Sequence, residues 1–372
     1  MSMNSLQRVQ TVLYGGIPDR VPVALHSFLA TGQFVGCSDL GALMQDGEFL
    51  AQAQIACWRA IGHDLLQLEN GVAALAQALG GEVRYAADVP PHVEAPILRS
   101  LKDAERLKLP DPEKDFPLTE CLRCTRIVSR ELGNEVFICG RADQGPMALA
   151  NALRGVESLI YDVMDAAEDA DKEKELLAFL DFCAECSVIF GAAQARAGAH
   201  GTCIGGLGLN VISPSVYRRY EAPLEKRFAD RAKAAGIIPF LHICGNETAI
   251  LPDMIETGAR ALELDPLTDM ATAKRLASGR TTLLGFVEPA HVMCEGSTSL
   301  VNEKCREAIK VLSPGGGFIL SPGCALPIHT PADNMRAMVE AAAQYGRYGD
   351  RRSLGELWNH DTESPDGRDG PA

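Results

Sequence analysis

What the chain lacks narrows its class before any motif is read. No stretch approaches the roughly 20 apolar residues of a membrane-spanning helix, and residues 1–8 carry no apolar leader core. Basic residues are outnumbered, with 35 Lys and Arg against 49 Asp and Glu and a net charge of −14. Such a chain is repelled by nucleic-acid phosphates and anionic membranes, so neither is expected as a partner. The expected compartment is the cytoplasm, where thiols stay reduced. The 12 cysteines then read as buried small residues or metal ligands, not as a disulfide framework. Familiar catalytic signatures are missing too. There is no Gly-x-Ser-x-Gly elbow, no phosphate loop ending in Gly-Lys-Ser/Thr and no His-Glu-x-x-His helix. Gly205-Gly206-Leu207-Gly208 is only loosely like a phosphate loop and reads as a strand-end turn.

What is present is a regular alternation. Eight short, near-continuously apolar runs recur: Val21–Leu25, Asp64–Leu68, Val136–Cys139, Gly201–Ile204, Ile238–Leu241, Ala261–Leu264, Thr282–Leu284 and Phe318–Leu320. Runs of this kind suit strands buried on both faces of a parallel sheet. Helical patterns fill the intervals, among them Gly41–Ile61 and Tyr217–Ala235, the second with Pro223 placed to shift or interrupt it. Eight β/α repeats in 372 residues predict an α/β fold closed as a (β/α)8 TIM barrel, with two separate α/β domains as the alternative. The interval from Gly71 to Glu135 is too long for one crossover and predicts a helical insertion in the N-terminal half. The barrel is expected to occupy residues 1–350. A polar stretch rich in turn formers, residues 351–372, is expected to be a disordered tail.

Barrel chemistry collects at the C-terminal strand ends, and there the sequence places an unusual set. It comprises His26, then Glu69 and Asn70, then Arg141 and Asp143, then His242 and Cys244, then Glu263 and Asp265, then Glu288, and finally Cys324. His242 and Cys244 carry the sharpest signal, because positions i and i+2 of a strand face the same side. Zinc favours such nitrogen and sulfur ligands, and one local pair plus a distant third ligand suits a catalytic site with an open position. An isolated His-x-Cys, taken alone, reads more readily as a hydrogen-bonded core histidine beside a small buried filler than as a ligand pair. Cys121-x-x-Cys124 and Cys183-x-x-Cys186 lack a partner pair, and the second lies in a helical pattern, so both are read as packing.

Several segments together resemble the uroporphyrinogen decarboxylase superfamily. They are residues 15–23, 140–155, 212–217, 285–289 and 322–331, spread over about Arg8 to Tyr348. The resemblance implies a (β/α)8 barrel. Where the decarboxylases carry an Arg-Gln-Ala-Gly-Arg element, this chain has residues 26–32, His-Ser-Phe-Leu-Ala-Thr-Gly, without arginine. The departure resembles the corrinoid methyltransferase branch, in which His242, Cys244 and Cys324 would hold Zn2+. That branch implies methyl transfer between a corrinoid (cobamide) and a thiol such as coenzyme M. The chain has no Asp-x-His-x-x-Gly cobalt-ligand motif, so a partner corrinoid protein is expected to carry the methylcobamide. Glu263 is assigned to the catalytic set with the three ligands, as a fourth ligand or a bond to His242, with Asp265 as its alternative. His26, Asp143 and Glu288 are assigned to orienting the substrate or cofactor. Three other readings stand beside this one: transfer from a small-molecule methyl donor to the corrinoid protein, a cofactor-free decarboxylase, and a protein that only binds corrinoid. Homo-oligomerisation is left open.

Overall fold

A computed structural model describes residues 3–69, 71–208 and 211–349. The tail expected at 351–372 and Asn70 lie outside the described residues. All eight apolar runs contain strands. They are β1 (Ala24–Leu25), β2 (Leu65–Leu68), β3 (Phe137–Arg141), β4 (Gly201–Gly205), β5 (Ile238–Ile243), β6 (Ala261–Leu264), β7 (Thr282–Val287) and β8 (Phe318–Pro322). Each pairs in parallel with the next in chain order. A parallel bridge between Val23 and Leu320, with the Leu320 N–H donating to the Pro22 carbonyl at 2.9 Å, joins the first strand to the last. The result is a (β/α)8 barrel, as the repeat count predicts.

The barrel lumen is filled in layers. Ala24, Leu65, Phe137, Cys203, Phe240, Ala261, Leu284 and Ile319 point inward and pack together. The N-terminal helix Ser5–Leu13 closes the lower end with Val9, Val12 and Leu13 on the same cluster. Alternate strand residues such as Leu66, Ile138, Leu241, Leu262 and Leu320 face outward onto the surrounding helices. Beneath β1 and β2, buried Asp64 joins Arg8 and Arg20, both at 2.7 Å, and accepts the Val23 N–H at 2.8 Å. That pairing explains the Asp19-Arg20 element of the N-terminal segment, because Asp19 holds Arg8 from the other side at 2.6 Å.

Local chemistry adjusts three sequence expectations. The helix expected across Gly41–Ile61 is two, Leu40–Gln45 and Gly47–Ile61, because the Asp46 carboxylate caps the second by accepting from the Glu48 and Phe49 N–H groups. At Tyr217–Ala235 a π-helical turn, Tyr217–Glu221, precedes the α-helix Ala222–Ala234, whose first turn holds Pro223, where a missing N–H costs nothing. The insertion after Gly71 carries short helices and also a two-stranded antiparallel pair, Val83–Arg84 with His92–Val93. The expectation that no segment is apolar enough to span a membrane also needs correction. The 27-residue helix Ala170–Arg196 is long and apolar enough by length and composition, but its apolar side is buried through Leu176, Phe179, Leu180 and Cys183.

Candidate metal centre

The period of two in the strands builds the site. Two residues above the inward layer, the same inward direction is taken by His26 above Ala24, Gln67 above Leu65, His242 above Phe240 and Glu263 above Ala261. In β3, Phe137 and Cys139 point inward and Arg141 follows. Apolar plug below and ionisable rim above are therefore one alternation read upward. The loops then add Cys244 directly above His242, and Cys324 just past β8.

His242, Cys244 and Cys324 converge, with one donor atom from each lying within 4.8 Å of the others. Among the described residues no other group of three or more His, Cys, Asp and Glu donors does so. His242 Nε2 is 3.2 Å from Cys244 Sγ, and the two sulfurs are 4.0 Å apart. A tetrahedral zinc with bonds of roughly 2.0–2.3 Å separates nitrogen and sulfur donors by about 3.6 Å and two sulfurs by about 3.8 Å. The observed spacings bracket those values, so the donor set fits zinc. His242 Nδ1–H donates to the Glu263 carbonyl at 3.0 Å, which leaves the Nε2 lone pair aimed at the cysteines. His242 is buried, Cys324 half-buried and Cys244 exposed, so the group opens toward solvent through Cys244. A hydrogen bond from Cys324 lowers the Cys244 thiol pKa, against burial, and the same contact with burial pushes Cys324 up to about 12.

Beneath the triad lies a buried charge network. The Glu263 carboxylate receives His26 Nδ1 at 3.2 Å and Gln67 Nε2 at 3.2 Å, with Arg141 Nη1 at 3.8 Å and His242 Nδ1 at 3.6 Å. His26 Nε2 faces Glu69 at 2.8 Å, so both ring nitrogens donate to carboxylates. Burial opposes a charged imidazole there, but Glu263 and Glu69 overcome it and raise His26 to about 9. Burial likewise opposes ionisation of Glu263, yet His26, His242 and Arg141 hold it well below the usual carboxylate range.

The structure separates the remaining candidates. His26 sits in the network beneath the triad, where both its nitrogens are occupied by carboxylates. Asp265 accepts the Gly245 N–H at 3.0 Å and so braces the loop that carries Cys244. Asp143, in a left-handed conformation at φ 64°, accepts the Leu75 N–H at 2.6 Å and turns toward the insertion. Burial raises its pKa to about 6. Glu288 is not brought to the triad. Gly285 and Phe286, at φ 115° and 77°, break the alternation in β7, and the Glu288 carboxylate caps the following turn through the Ala290, His291 and Val292 N–H groups. Cys121 and Cys124 share the helix Leu118–Leu132, and Cys183 and Cys186 lie within Ala170–Arg196, outside the triad. Sequence reasoning missed Gln67, although its place two residues after inward-facing Leu65 would have found it. It also missed Glu247, which accepts the Asp265 N–H at 3.1 Å and the Thr268 hydroxyl, tying the loops after β5 and β6 together. No sequence spacing marks Glu247.

Comparison with known proteins gives these findings. The chain matches the family described as uroporphyrinogen decarboxylase (URO-D) over residues 4–345. The methylcobamide:CoM methyltransferase MtbA of Methanosarcina acetivorans is 28% identical over 340 residues, covering 88% of this chain and 94% of that protein. The methylcobamide:CoM methyltransferase MtaA of Methanosarcina barkeri is 26% identical over 357 residues, covering 91% of this chain and 97% of that protein. A solved methyltransferase from Methanosarcina mazei has a TM-score of 0.83 at 24% identity, covering 92% of this chain and 99% of its own, a likeness of fold.

Proposed function

The chain belongs to the uroporphyrinogen decarboxylase family, and we propose that within it the protein is a cytoplasmic methyltransferase moving a methyl group between a corrinoid protein and a thiol such as coenzyme M. The observation that carries this reading is the convergence of His242, Cys244 and Cys324 at the C-terminal mouth of the barrel. The names of the two methanosarcinal relatives support the same chemistry.

His242, Cys244 and Cys324 would hold zinc, whose charge one neutral imidazole and two thiolates balance. Bound there, zinc supplies the Lewis acidity that keeps a substrate thiol deprotonated at neutral pH. The chain's own residues do the rest. The Glu263 carbonyl fixes the His242 tautomer, and Asp265 fixes the Cys244 loop. Glu263 is a positioning residue here, its carboxylate held down by His26, Gln67 and Arg141. The exposed side of Cys244 leaves the mouth open to a methylcobamide delivered on a partner protein. Decarboxylation of a polycarboxylate is disfavoured, because Arg141 already faces Glu69 at 3.6 Å and Glu263 at 3.8 Å.

The test is metal content together with methyl transfer. Wild-type protein should bind about one zinc per chain and His242→Ala and Cys324→Ala should lose it. Wild type should also demethylate methylcobalamin in the presence of coenzyme M, followed by the visible spectrum. Zinc binding without thiol methylation, but with methylation of reduced cobalamin by a small methyl donor, would reverse the proposed direction. No zinc in protein supplied with the metal would overturn the mechanism.

A further inference from the structure

The opposite end of the barrel holds a cavity of about 360 Å³. Its walls are the segments entering the last three strands, with Arg260 just before β6, Arg280 just before β7 and the Gly315–Gly317 turn just before β8. Lys274 from the helix Met270–Ala277 and Tyr14 from the end of the N-terminal helix complete it. This is the face where barrels ordinarily carry residues for stability alone, roughly one strand length, ~15–20 Å, from the metal triad.

Charge distinguishes the cavity. The chain has 49 acidic residues against 35 basic, yet among the described residues Arg260, Lys274 and Arg280 line this space and no carboxylate does. Arg260 is exposed and makes no side-chain hydrogen bond or ion pair with any described residue. Arg280 is anchored by Glu256, which is not part of the wall. Lys274 is half-buried, and Nζ donates to the Gly316 carbonyl at 2.6 Å, which aims the ammonium and leaves two of its protons free of that bond. Burial lowers the Lys274 pKa, a penalty that a neighbouring anion would relieve.

The turn supplies bare backbone. Gly315, Gly316 and Gly317 have φ of 77°, 79° and 68°, a left-handed run that only glycine adopts without strain. A Cβ at Gly315 would meet nothing within 4 Å, so its glycine answers to conformation and not to packing. Turn amides commonly cradle anions; here the Gly316 N–H already donates to the Ser313 carbonyl at 2.9 Å, so an anion would be met by the Gly315 and Gly317 N–H groups. Tyr14 is 67% exposed at the edge, offering a flat apolar face beside the cations. The volume lies at the small end of the roughly 300–1,000 Å³ usual for small-molecule sites.

We propose that this cavity is a binding site for phosphoryl groups, with Arg260, Lys274 and Arg280 as the cationic clamp and Tyr14 as a wall for the ring of a nucleotide. The full-length chain would be titrated calorimetrically at low ionic strength with inorganic phosphate, pyrophosphate, ADP and adenosine. Pyrophosphate and ADP should bind at one site per chain and adenosine should not. Arg260→Ala should weaken both by about tenfold or more, as should Lys274→Ala. Arg59→Ala, whose side chain is exposed and pairs with Glu131 elsewhere, should leave binding unchanged. Arg260 has no side-chain partner among the described residues, so its variant tests the clamp without breaking a contact of the described fold. Tyr14→Ala should weaken ADP and spare pyrophosphate. ADP and pyrophosphate binding alike in wild type, with no effect of Tyr14→Ala, would overturn the ring assignment and assign the site to free phosphates. The whole proposal fails if neither ligand binds at millimolar concentration, or if Arg260→Ala and Lys274→Ala bind as wild type does.

Discussion

Replacing Glu263 by glutamine tests the network beneath the metal centre. The change is nearly isosteric and keeps the main-chain carbonyl that orients His242, so it removes charge and little else. His26 at 3.2 Å and Arg141 at 3.8 Å would then share Glu69 as their one remaining carboxylate within this network. Because Glu263 is fully buried, taking away one side of such a pairing should cost about 3–5 kcal/mol of stability. His242 would lose the carboxylate 3.6 Å from Nδ1, and loss of such supporting charge typically lowers metal affinity by about 10–100-fold.

Three assays read this variant: urea unfolding of zinc-free protein, competition for zinc against a chromophoric chelator, and NMR titration of the histidine rings. The pH signs are fixed by the shifts. His26 is raised from 6.5 to about 9, so its contribution is complete below 6.5 and disappears as pH rises through 9. Glu263 is depressed, so its contribution holds above 4.5 and disappears as pH falls through its folded value. The stability gap between wild type and Glu263→Gln should therefore be widest near pH 6 and narrow above 9, with His26 titrating lower in the variant. A zinc affinity within twofold of wild type, with unfolding free energies within about 0.5 kcal/mol, would refute the reasoning.

Asp64→Asn should destabilise by about 3–5 kcal/mol in urea unfolding, since buried Asp64 is shared by Arg8 and Arg20. Glu288→Ala should cost about 1 kcal/mol by the same measurement and leave zinc content unchanged, because its carboxylate caps a turn away from the triad. Glu225→Gln should flatten the pH dependence of thermal unfolding. Burial raises Glu225 to about 8, so wild type binds an extra proton when folded and loses stability as pH rises from 4.5 through 8, whereas a glutamine still accepts the Tyr217 hydroxyl and does not titrate.

How much of this was legible follows from where the determining interactions lie. The eight strands were readable because a strand buried on both faces writes its burial into consecutive residues, as in Leu65–Leu68 and Ala261–Leu264. The ligand pair was readable because His242 and Cys244 are local and alternate with the plug residue Phe240. Cys324 came from family resemblance, since its approach depends on a close contact of loops: a Cβ on Gly323 would lie 2.4 Å from the Pro266 ring. The helices of the insertion are legible, but its antiparallel pair is not, because pairing Val83 with Val93 needs only two residues per strand, too few to leave a period.

Glu288 shows the limit most plainly. It lies four residues after inward-facing Leu284, as Glu263 lies two after inward-facing Ala261, so strict alternation aims both carboxylates inward and treats the two alike. Two left-handed residues, Gly285 and Phe286, turn one carboxylate away from the mouth, while Glu263 continues an unbroken alternation into it. A strand-end residue is thus aimed by the backbone dihedrals below it as much as by its place in the count. The same logic runs downward: the cations Arg260 and Arg280 precede their strands by one and two residues, and only barrel closure brings them to one cavity. A site assembled from single residues of separate strands leaves no motif in the chain, and the closed sheet that makes its neighbours is what reveals it.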